Sequence, residues 1–491
     1  MRTALTIALL GVATVLVRFD NPLQTSIAFG LFGFAFTARL IPKLGPSFKK
    51  AGLQGRDMSK SCPVEPIPES MGIVSSVTYI ILLVLIIPFV FFKYLVSYSS
   101  IANDDDMLAN YRTQYKTSQG NQLFPHNKLA EYLSGALCLL STILLGIFDD
   151  LFDIRWRHKF FLPAVASLPL LIVYYVDFSV TSIVVPGFIT KSPAGVWVLI
   201  AFNQVFQATN SFITRITGLK FTTLAIDYDI NSTVPSLLDL GIFYYGYMSA
   251  LSIFCPNAIN ILAGINGLEV GQSIVLGVLL LLNDICYLST SSISQAARDS
   301  HLFSAIFLMP FIGVSAGLYL YNKYPSQVFV GDTYCYFSGM VFAVVGILGH
   351  FSKTLLMLFF IQIVNFLYSV PQLFHVVPCP RHRLPKYNPS DNLMYPSYAT
   401  IDEKGFGRKL LAILSSLKFV AVKRSESGEI TEFSNLTIIN LVLVWFGPLR
   451  EDTLCNLLLA IQFCIGLFML VLRHTLGPWL FGYDNLSWGV K

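Results

Sequence analysis

Charge is what this sequence has least of: Asp, Glu, Lys and Arg make up 12% of its 491 residues, about half the share usual in a soluble domain. That excludes a water-soluble globule. Disordered chains combine low hydrophobicity with high charge and nucleic-acid binders carry a basic stripe; neither pattern is present, and the net charge of +5 is too small to define a partner. No CxxC pair occurs. The eight cysteines (Cys62, Cys138, Cys255, Cys286, Cys335, Cys379, Cys455, Cys464) stand singly in mostly apolar surroundings, which gives no zinc site and no disulfide framework and reads as buried thiols. P-loop, HExxH, GxSxG and dinucleotide-binding signatures are also missing.

What fills the chain is apolar and aromatic: 54% hydrophobic residues, 40 Phe and 23 Tyr, and a mean hydropathy of +0.63. Runs long enough to cross about 30 Å of hydrocarbon as helices cover 24–44, 72–97, 130–148, 160–177, 237–256, 268–290, 302–322, 328–349, 354–377 and 453–478. The fold class expected is an all-α polytopic membrane protein with about ten core spans. Ala4 to Val17, behind Arg2, is either an eleventh span or a signal-like segment, being short and without a small-residue cleavage site.

If the spans alternate, the segments 39–71, 149–159, 257–267, 323–332 and 378–452 share one side and hold 20 of the 33 Lys and Arg, which makes that side cytosolic. The organisation is then an N-terminal segment 1–23, a core of nine spans over 24–377, a cytosolic loop or small mixed domain over 378–452, and a last span with a lumenal C-terminus over 453–491. The far-side segment 178–236 reads as a loop in which Val196 to Phe206 is too short to span and rests on the membrane surface. Residues 434–449 fit a domain core or a re-entrant segment. No internal repeat is visible. Of three Asn-X-Ser/Thr sites, Asn231 and Asn485 fall on the lumenal side and Asn435 on the cytosolic one.

Four polar constellations interrupt the apolar sequence, all on the cytosolic side. The first is Asp149-Asp150-Leu151-Phe152-Asp153, followed by Arg155, Arg157, His158 and Lys159. Adjacent Asp149 and Asp150 repel unless a cation or proton lies between them, and Asp153 falls one helical turn on. Either this is a charge cluster anchoring helix ends or an acidic site for Mg²⁺ or a proton beside a cationic phosphate site. The second, Asn257-Ala258-Ile259-Asn260 with Gly264, Asn266 and Gly267, offers amide oxygens to a hard metal ion or hydrogen bonds between helices. In the third, Asp332 opens a span after Phe329-Val330-Gly331, and an acid at membrane depth is a functional candidate. The fourth, Pro378-Cys379-Pro380-Arg381-His382-Arg383, is a stiffened loop with two guanidinium forks, suited to phosphate or simply solvated. Asp104-Asp105-Asp106 lies on the opposite side and reads as a solvated loop.

Together these segments resemble the polyprenyl-phosphate N-acetylhexosamine-1-phosphate transferases, in particular a fungal-like member of the eukaryotic dolichyl-phosphate branch. The likeness runs over most of 24–478 and rests on DDLFDIRWRHKFFLPAVASLPLL, NAINILAGINGLEVGQS, VFVGDTYCYFSGMVFAVVGILGHFSK and PCPRHR. It implies transfer of GlcNAc-1-phosphate from UDP-GlcNAc to dolichyl phosphate, with Mg²⁺ as cofactor, in the endoplasmic reticulum membrane with the site on the cytosolic face. By motif, Asn260 and Asp332 match metal ligands, Lys159 and Arg381 phosphate-neutralising cations, and Asp149 and Asp150 the catalytic pair, with Asp153 beside them. Gly264, Asn266 and Phe329 match the uridine pocket, His382 and Arg383 the sugar-side loop, and Glu69 a position near that pocket; Arg56, Asp57 and Asn257 join the substrate-binding set. Two positions depart from the animal pattern: Asp153 stands for Asn, and Arg56 stands for Gln. The resemblance also implies a homodimer, contact with membrane lipids and assembly with the enzyme adding the second GlcNAc, and no nucleic acid. The competing readings are a relative using another lipid or amino sugar, and a transporter; transport sites sit near mid-bilayer in repeated halves, whereas here the polar motifs cluster at one face.

Overall fold

The computed structural model describes residues 2–19, 21–57, 65–92, 126–178, 180–218, 237–290, 293–380, 382–401, 406–426 and 428–481. Cys62, Asp104-Asp105-Asp106, Asn231, Arg381 and Asn485 lie outside the described residues.

The chain begins with α1 (Arg2–Leu16) and α2 (Pro22–Lys50), followed by the short strands β1 (Gln54–Gly55) and β2 (Ile67–Pro68) and then α3 (Gly72–Val90). Next come α4 (His126–Phe152), α5 (Trp156–Lys159), α6 (Leu162–Ala166), α7 (Leu168–Asp177), β3 (Ser182–Val184), α8 (Gly187–Thr190), α9 (Pro193–Thr217) and β4 (Leu237–Asp239). The second half holds α10 (Ile242–Ile261), α11 (Leu268–Leu288), α12 (Gln295–Asn322), α13 (Gly331–Leu348), α14 (Ser352–Leu358) and α15 (Phe360–Leu373). A small mixed unit follows, with β5 (Lys386–Asn388), β6 (Leu393–Tyr395), β7 (Tyr398–Thr400), α16 (Phe406–Ser416), β8 (Val422–Arg424), β9 (Ile430–Ser434) and α17 (Ile438–Phe446), before the closing α18 (Glu451–Phe481).

Among the described residues seven helices, α2, α3, α4, α11, α12, α13 and α18, are long and apolar enough to cross a membrane, or eight if α14 and α15, bent by 67° around Phe359, count as one span. The protein is therefore all-α and polytopic, with fewer unbroken spans than the ten expected. The run 160–177 splits because Pro163 and Pro169 fall in the first turns of α6 and α7, where a missing N–H favours a new start. The run 237–256 opens as β4, and its helix α10 carries three tyrosines, Pro256, Asn257 and Asn260, which lower its apolarity. α1, at 15 residues, is shorter than a span. Beyond α7, the apolar segment expected to rest on the membrane belongs to a longer helix, the 25-residue α9. Residues 434–449 contain α17, capped by Thr437, whose hydroxyl accepts from the Asn440 amide.

α13 is the hub, 89% buried. Glycines let other helices reach it: a Cβ on Gly146 of α4 would stand 2.6 Å from Thr333 Cα, and one on Gly72 would meet the Val330 carbonyl at 2.5 Å. α2 and α12 touch backbone to backbone where Gly313 faces Gly30, since in lipid close van der Waals packing replaces the hydrophobic drive between helices. Outward faces are apolar, as Val77, Ile81, Val84 and Leu85 of α3 show. Lipid also takes thiols: Cys286 and Cys464 are exposed on α11 and α18, and the expectation of buried cysteines holds for Cys138, Cys255, Cys335 and Cys455.

In the mixed unit, β7, β9 and β8 form an antiparallel sheet in that order, with β5 paired to β6. Its core holds Phe433, Leu436, Leu411 and Val377. Asn435 is buried there, donating to Ser397 Oγ (2.8 Å) and accepting from Gln372 Nε2 (2.8 Å).

Gly313→Ala forces a methyl into the Gly30 backbone, so α2 and α12 must separate, at a cost of about 1–3 kcal/mol. A lower melting midpoint in a thermal scan of the detergent-solubilised protein is expected, with Gly11→Ala, in open space, unchanged.

Candidate active site

The C-terminal end of α4 meets the N-terminal end of α13, and the two adjacent aspartates of α4 are spent differently. Asp150 accepts from the backbone amides of Asp332 (2.6 Å) and Thr333 (3.3 Å) and from Thr333 Oγ1 (2.6 Å). It thus caps α13 from another helix, placing a negative charge at the positive end of the helix dipole. The cap requires Gly331, whose φ is +72° and whose Cβ, if present, would lie 2.5 Å from Asp150 Oδ2. Asp149, buried, accepts from the Ile154 amide through Oδ1 (3.0 Å) and from Lys159 Nζ through Oδ2 (3.0 Å).

Lys159 spans two acids, with its Nζ also 2.8 Å from Asp332 Oδ2. Burial works against the ammonium, but the hydrogen bonds and charges of Asp332 and Asp149 outweigh it and hold its pKa above the usual lysine value. The other oxygen of Asp332 accepts from Asn260 Nδ2 at 3.2 Å. One carboxylate, one amide and one ammonium therefore converge at the first turn of α13.

Beside them opens a cavity of about 350 Å³ whose wall includes Asn260, Asp332, Phe329, Gly264, Asn266 and Glu69. Arg56 and Asp57 also reach it. Phe329 is fixed from both sides in sequence: its amide donates to the Pro68 carbonyl (2.9 Å) and its carbonyl accepts from Met71 (3.0 Å). Bare Gly55 lies against its ring, where a Cβ would come within 3.0 Å. Opposite, Gly264 has φ +107°, a conformation that side chains rarely adopt, and a Cβ there would displace the Leu384 methyls. Asn266 is clamped: its Nδ2 donates to Asp57 Oδ2 (2.8 Å) and its backbone amide to Glu451 Oε1 (2.7 Å). Glu69 has its pKa raised, first by burial and then by the charges of Asp150 and Asp332.

The sequence-predicted residues thus divide. Arg56, Asp57, Glu69, Asn260, Gly264, Asn266, Phe329 and Asp332 line one cavity, with Asp149, Asp150 and Lys159 attached through Asp332. Asp153 is exposed and, at φ +48°, closes α4 with its amide on the Asp149 carbonyl, a left-handed helix end that Asn or Gly ordinarily takes. Asn257 donates to the carbonyl of Phe160 (3.4 Å), in the turn between α5 and α6, and to that of Ile253 (2.7 Å) in its own helix. His382 is exposed; Arg383 is half-buried, its carbonyl held by Asn440 Nδ2 (2.8 Å) and its Nη1 buried without a hydrogen-bond partner among the described residues. Arg381 is outside the described residues. Lining residues not singled out beforehand include Glu269, which accepts from the Gly264 amide (2.9 Å), Glu451 and Leu384. Glu451 had a signal, an acid in the first turn of an apolar span.

Among the described residues no three His, Cys, Asp or Glu side chains converge into a closed metal cage. Asn260 and Asp332 nevertheless suit Mg²⁺, which takes hard oxygens and commonly only one or two protein donors, leaving the rest of its shell to phosphate and water.

The sequence profile of glycosyl transferase family 4 matches residues 132–350, from inside α4 to just past α13. The chain is 50% identical over 475 residues to the UDP-N-acetylglucosamine–dolichyl-phosphate N-acetylglucosaminephosphotransferase of Saccharomyces cerevisiae, covering 96% of this chain and 95% of that protein. Against the protein of the same name from Schizosaccharomyces pombe it is 43% identical over 97% of each chain, and against that of Dictyostelium discoideum 37% identical over 89% of this chain and 87% of the relative. With likeness at that level along nearly its whole length, and with the profile falling on the helices that build the cavity, the chain belongs to glycosyl transferase family 4.

Proposed function

We infer that the chain transfers GlcNAc-1-phosphate from UDP-GlcNAc to dolichyl phosphate, giving GlcNAc-diphosphodolichol and UMP, the first step of dolichol-linked oligosaccharide synthesis. The observation that carries the reading is Asp332, held between Lys159 and Asn260 on the wall of a nucleotide-sized cavity at the end of a membrane bundle. The names of the near-full-length relatives support it.

In this reaction an oxygen of the lipid phosphate bonds to the β-phosphorus of UDP-GlcNAc, the bond from that phosphorus to the bridging oxygen breaks, and UMP leaves with the electron pair. The sugar C1–O bond is untouched, so anomeric configuration is retained. A phosphate monoester is already largely ionised near neutral pH, its second pKa being about 6, so no strong base is required. That agrees with both oxygens of Asp149 and Asp150 being engaged by donors. Asp150 positions Asp332 by capping its helix; Asp149 holds Lys159, whose ammonium neutralises phosphate charge. Phe329 offers a ring face to the base, and Asn266, its N–H groups held by Asp57 and Glu451, offers its side-chain oxygen to the uracil edge. Asn260 and Asp332 would hold Mg²⁺, which would supply positive charge against the diphosphate. Arg381, His382 and Arg383 form the sugar-side loop. The setting we infer is the endoplasmic reticulum membrane with the cavity facing the cytosol, as a homodimer, in assembly with the enzyme that adds the second GlcNAc.

The test uses purified protein in lipid and detergent with radiolabelled UDP-GlcNAc and dolichyl phosphate, following label into the organic phase. Transfer should require Mg²⁺ and stop with EDTA, and Asp332→Asn and Lys159→Gln should each lose roughly a hundredfold or more in kcat. Transfer undiminished by EDTA, or by Asp332→Asn, would sink the metal assignment. Glu451→Ala leaves the buried Asn266 amide unpaired, a penalty of about 1–3 kcal/mol, so the apparent KM for UDP-GlcNAc should rise about tenfold or more with kcat less affected. An unchanged KM would remove Glu451 from nucleotide binding.

A further inference from the structure

We propose that α16 and the end of α17 form a docking face by which the mixed unit rests on the lipid leaflet at the cavity's side of the membrane. Depth comes first. α17 does not sit out in the mixed unit: Ile439, Val442 and Leu443 pack with Leu454 and Leu458, in the first two turns of the spanning α18, and with Leu268 at the start of α11. Four residues separate Phe446 from Glu451, so the C-terminal end of α17 lies level with the point where α18 enters the bilayer.

That end is capped by Trp445 and Phe446, 52% and 58% exposed. Trp445 is also tied to the end of α16: its Nε1 donates to the Lys418 carbonyl at 2.8 Å, and its ring lies 6.0 Å from that of Phe419. α16 is thereby held at the same height. Its outward residues are Lys409, Ala412, Ile413 and Ser416, one helical stripe, with Leu417 and Lys418 following. Ile413 and Leu417 are each 59% exposed. In water Ile413, Leu417, Phe419 and Phe446 beside a half-exposed tryptophan would be an aggregation liability; at a bilayer surface they have an apolar phase to enter.

The charges specify which surface. Lys409 and Lys418 rim the apolar patch, and among the described residues neither pairs with a carboxylate, whereas Arg408 and Lys423, away from the rim, are bound to Glu429 and Glu432. Tryptophan with lysine around an apolar stripe suits an anionic headgroup region. The seating also reaches the site. α17 carries Asn440, which holds the Arg383 carbonyl, and the next residue, Leu384, lines the cavity opposite Gly264. Lipid contact at one end of α17 therefore sets the height of the loop at the other.

The proposal stands on the crossing of α18 and not on the reaction, so its test does not read activity. The full-length protein is reconstituted in phosphatidylcholine vesicles, with or without phosphatidylserine, and the emission of Trp445 is taken as the difference between the protein and its Trp445→Phe variant. Phosphatidylcholine brominated on its acyl chains should cut that difference about twofold, while aqueous iodide leaves it unchanged. Quenching should deepen with phosphatidylserine, and the gain should vanish in Lys409→Gln/Lys418→Gln. Iodide quenching without bromolipid quenching would mean the patch faces water. Protection from both would mean that protein, a second copy of the chain or another partner, covers it. Either result overturns the proposal, and a phosphatidylserine gain that survives the double substitution overturns the role of the lysines.

Discussion

Asp150 at the N-terminus of α13 is the contact on which the site depends. Two adjacent carboxylates at the end of a membrane helix would repel each other if both pointed into the same space. They are instead neutralised separately, Asp150 by three donors and the dipole of the most buried helix in the bundle, Asp149 by Lys159 and a backbone amide. Because the amide that Asp150 binds is that of Asp332 itself, the cap fixes the residue that meets Lys159 and Asn260. Gly331, Gly146 and Gly72 follow from the same contact. α4 and the Ser70–Gly72 turn can come this near α13 only where no Cβ stands between them.

A second constraint comes from interrupting helices at membrane depth. Between α10 and α11 the chain unwinds to present Gly264 and Asn266 to the cavity, leaving carbonyls with no partner in their own helix. Gln272, fully buried, donates to those of Ile259 (3.1 Å) and Leu262 (2.6 Å). Gln362 of α15 in turn donates to Gln272 Oε1 (3.0 Å), and Gln462 of α18 to its carbonyl (3.3 Å). A break in one helix is thus secured by amides from three, as a medium without water requires. At the far end of the bundle Asp284 is satisfied in the same way by His301 (2.7 Å) and Ser304 (2.5 Å).

How much of this could be read beforehand depended on whether a residue was odd where it stood. Asp332, Asn260 and Asp149 are conspicuous in apolar sequence, and the structure gathers them. Glu451 was passed over because an acid opening a helix is unremarkable locally; its partner Asn266 lies 185 residues away. Leu384 gave no signal at all, since an exposed loop leucine becomes a cavity wall only when Gly264 is opposite. Asp153 and Asn257 lie off the cavity wall: the backbone of one closes α4 in the left-handed region, and the side chain of the other binds the carbonyls of Phe160 and Ile253. Spans were legible from hydropathy, while the breaks at Pro163 and Pro169, the 67° bend around Phe359 and the length of α9 depend on neighbours that a linear reading does not place.

The charge balance of the site argues for how the reaction has to run. Lys159 is shared by Asp149 and Asp332, with Asp150 and Glu69 close by and Arg56 on the cavity wall, and burial, then the charges of Asp150 and Asp332, raise the pKa of Glu69. A nucleotide diphosphate and a lipid phosphate approaching this field bring more of the same sign, and Coulomb repulsion at such distances is large where water is scarce. Lys159 alone cannot offset it, because two carboxylates already share it. Further positive charge can come from Arg56 on the cavity wall, from the arginine-bearing loop beside Leu384, or with the substrate. That is the physical reason behind the proposal of a divalent cation at Asn260 and Asp332, and for expecting the loop held by Asn440 to matter as much as the aspartates. On this view the aspartate pair contributes order, one member aligning a helix and the other a lysine, and the chemistry is left to phosphorus and its counter-charges.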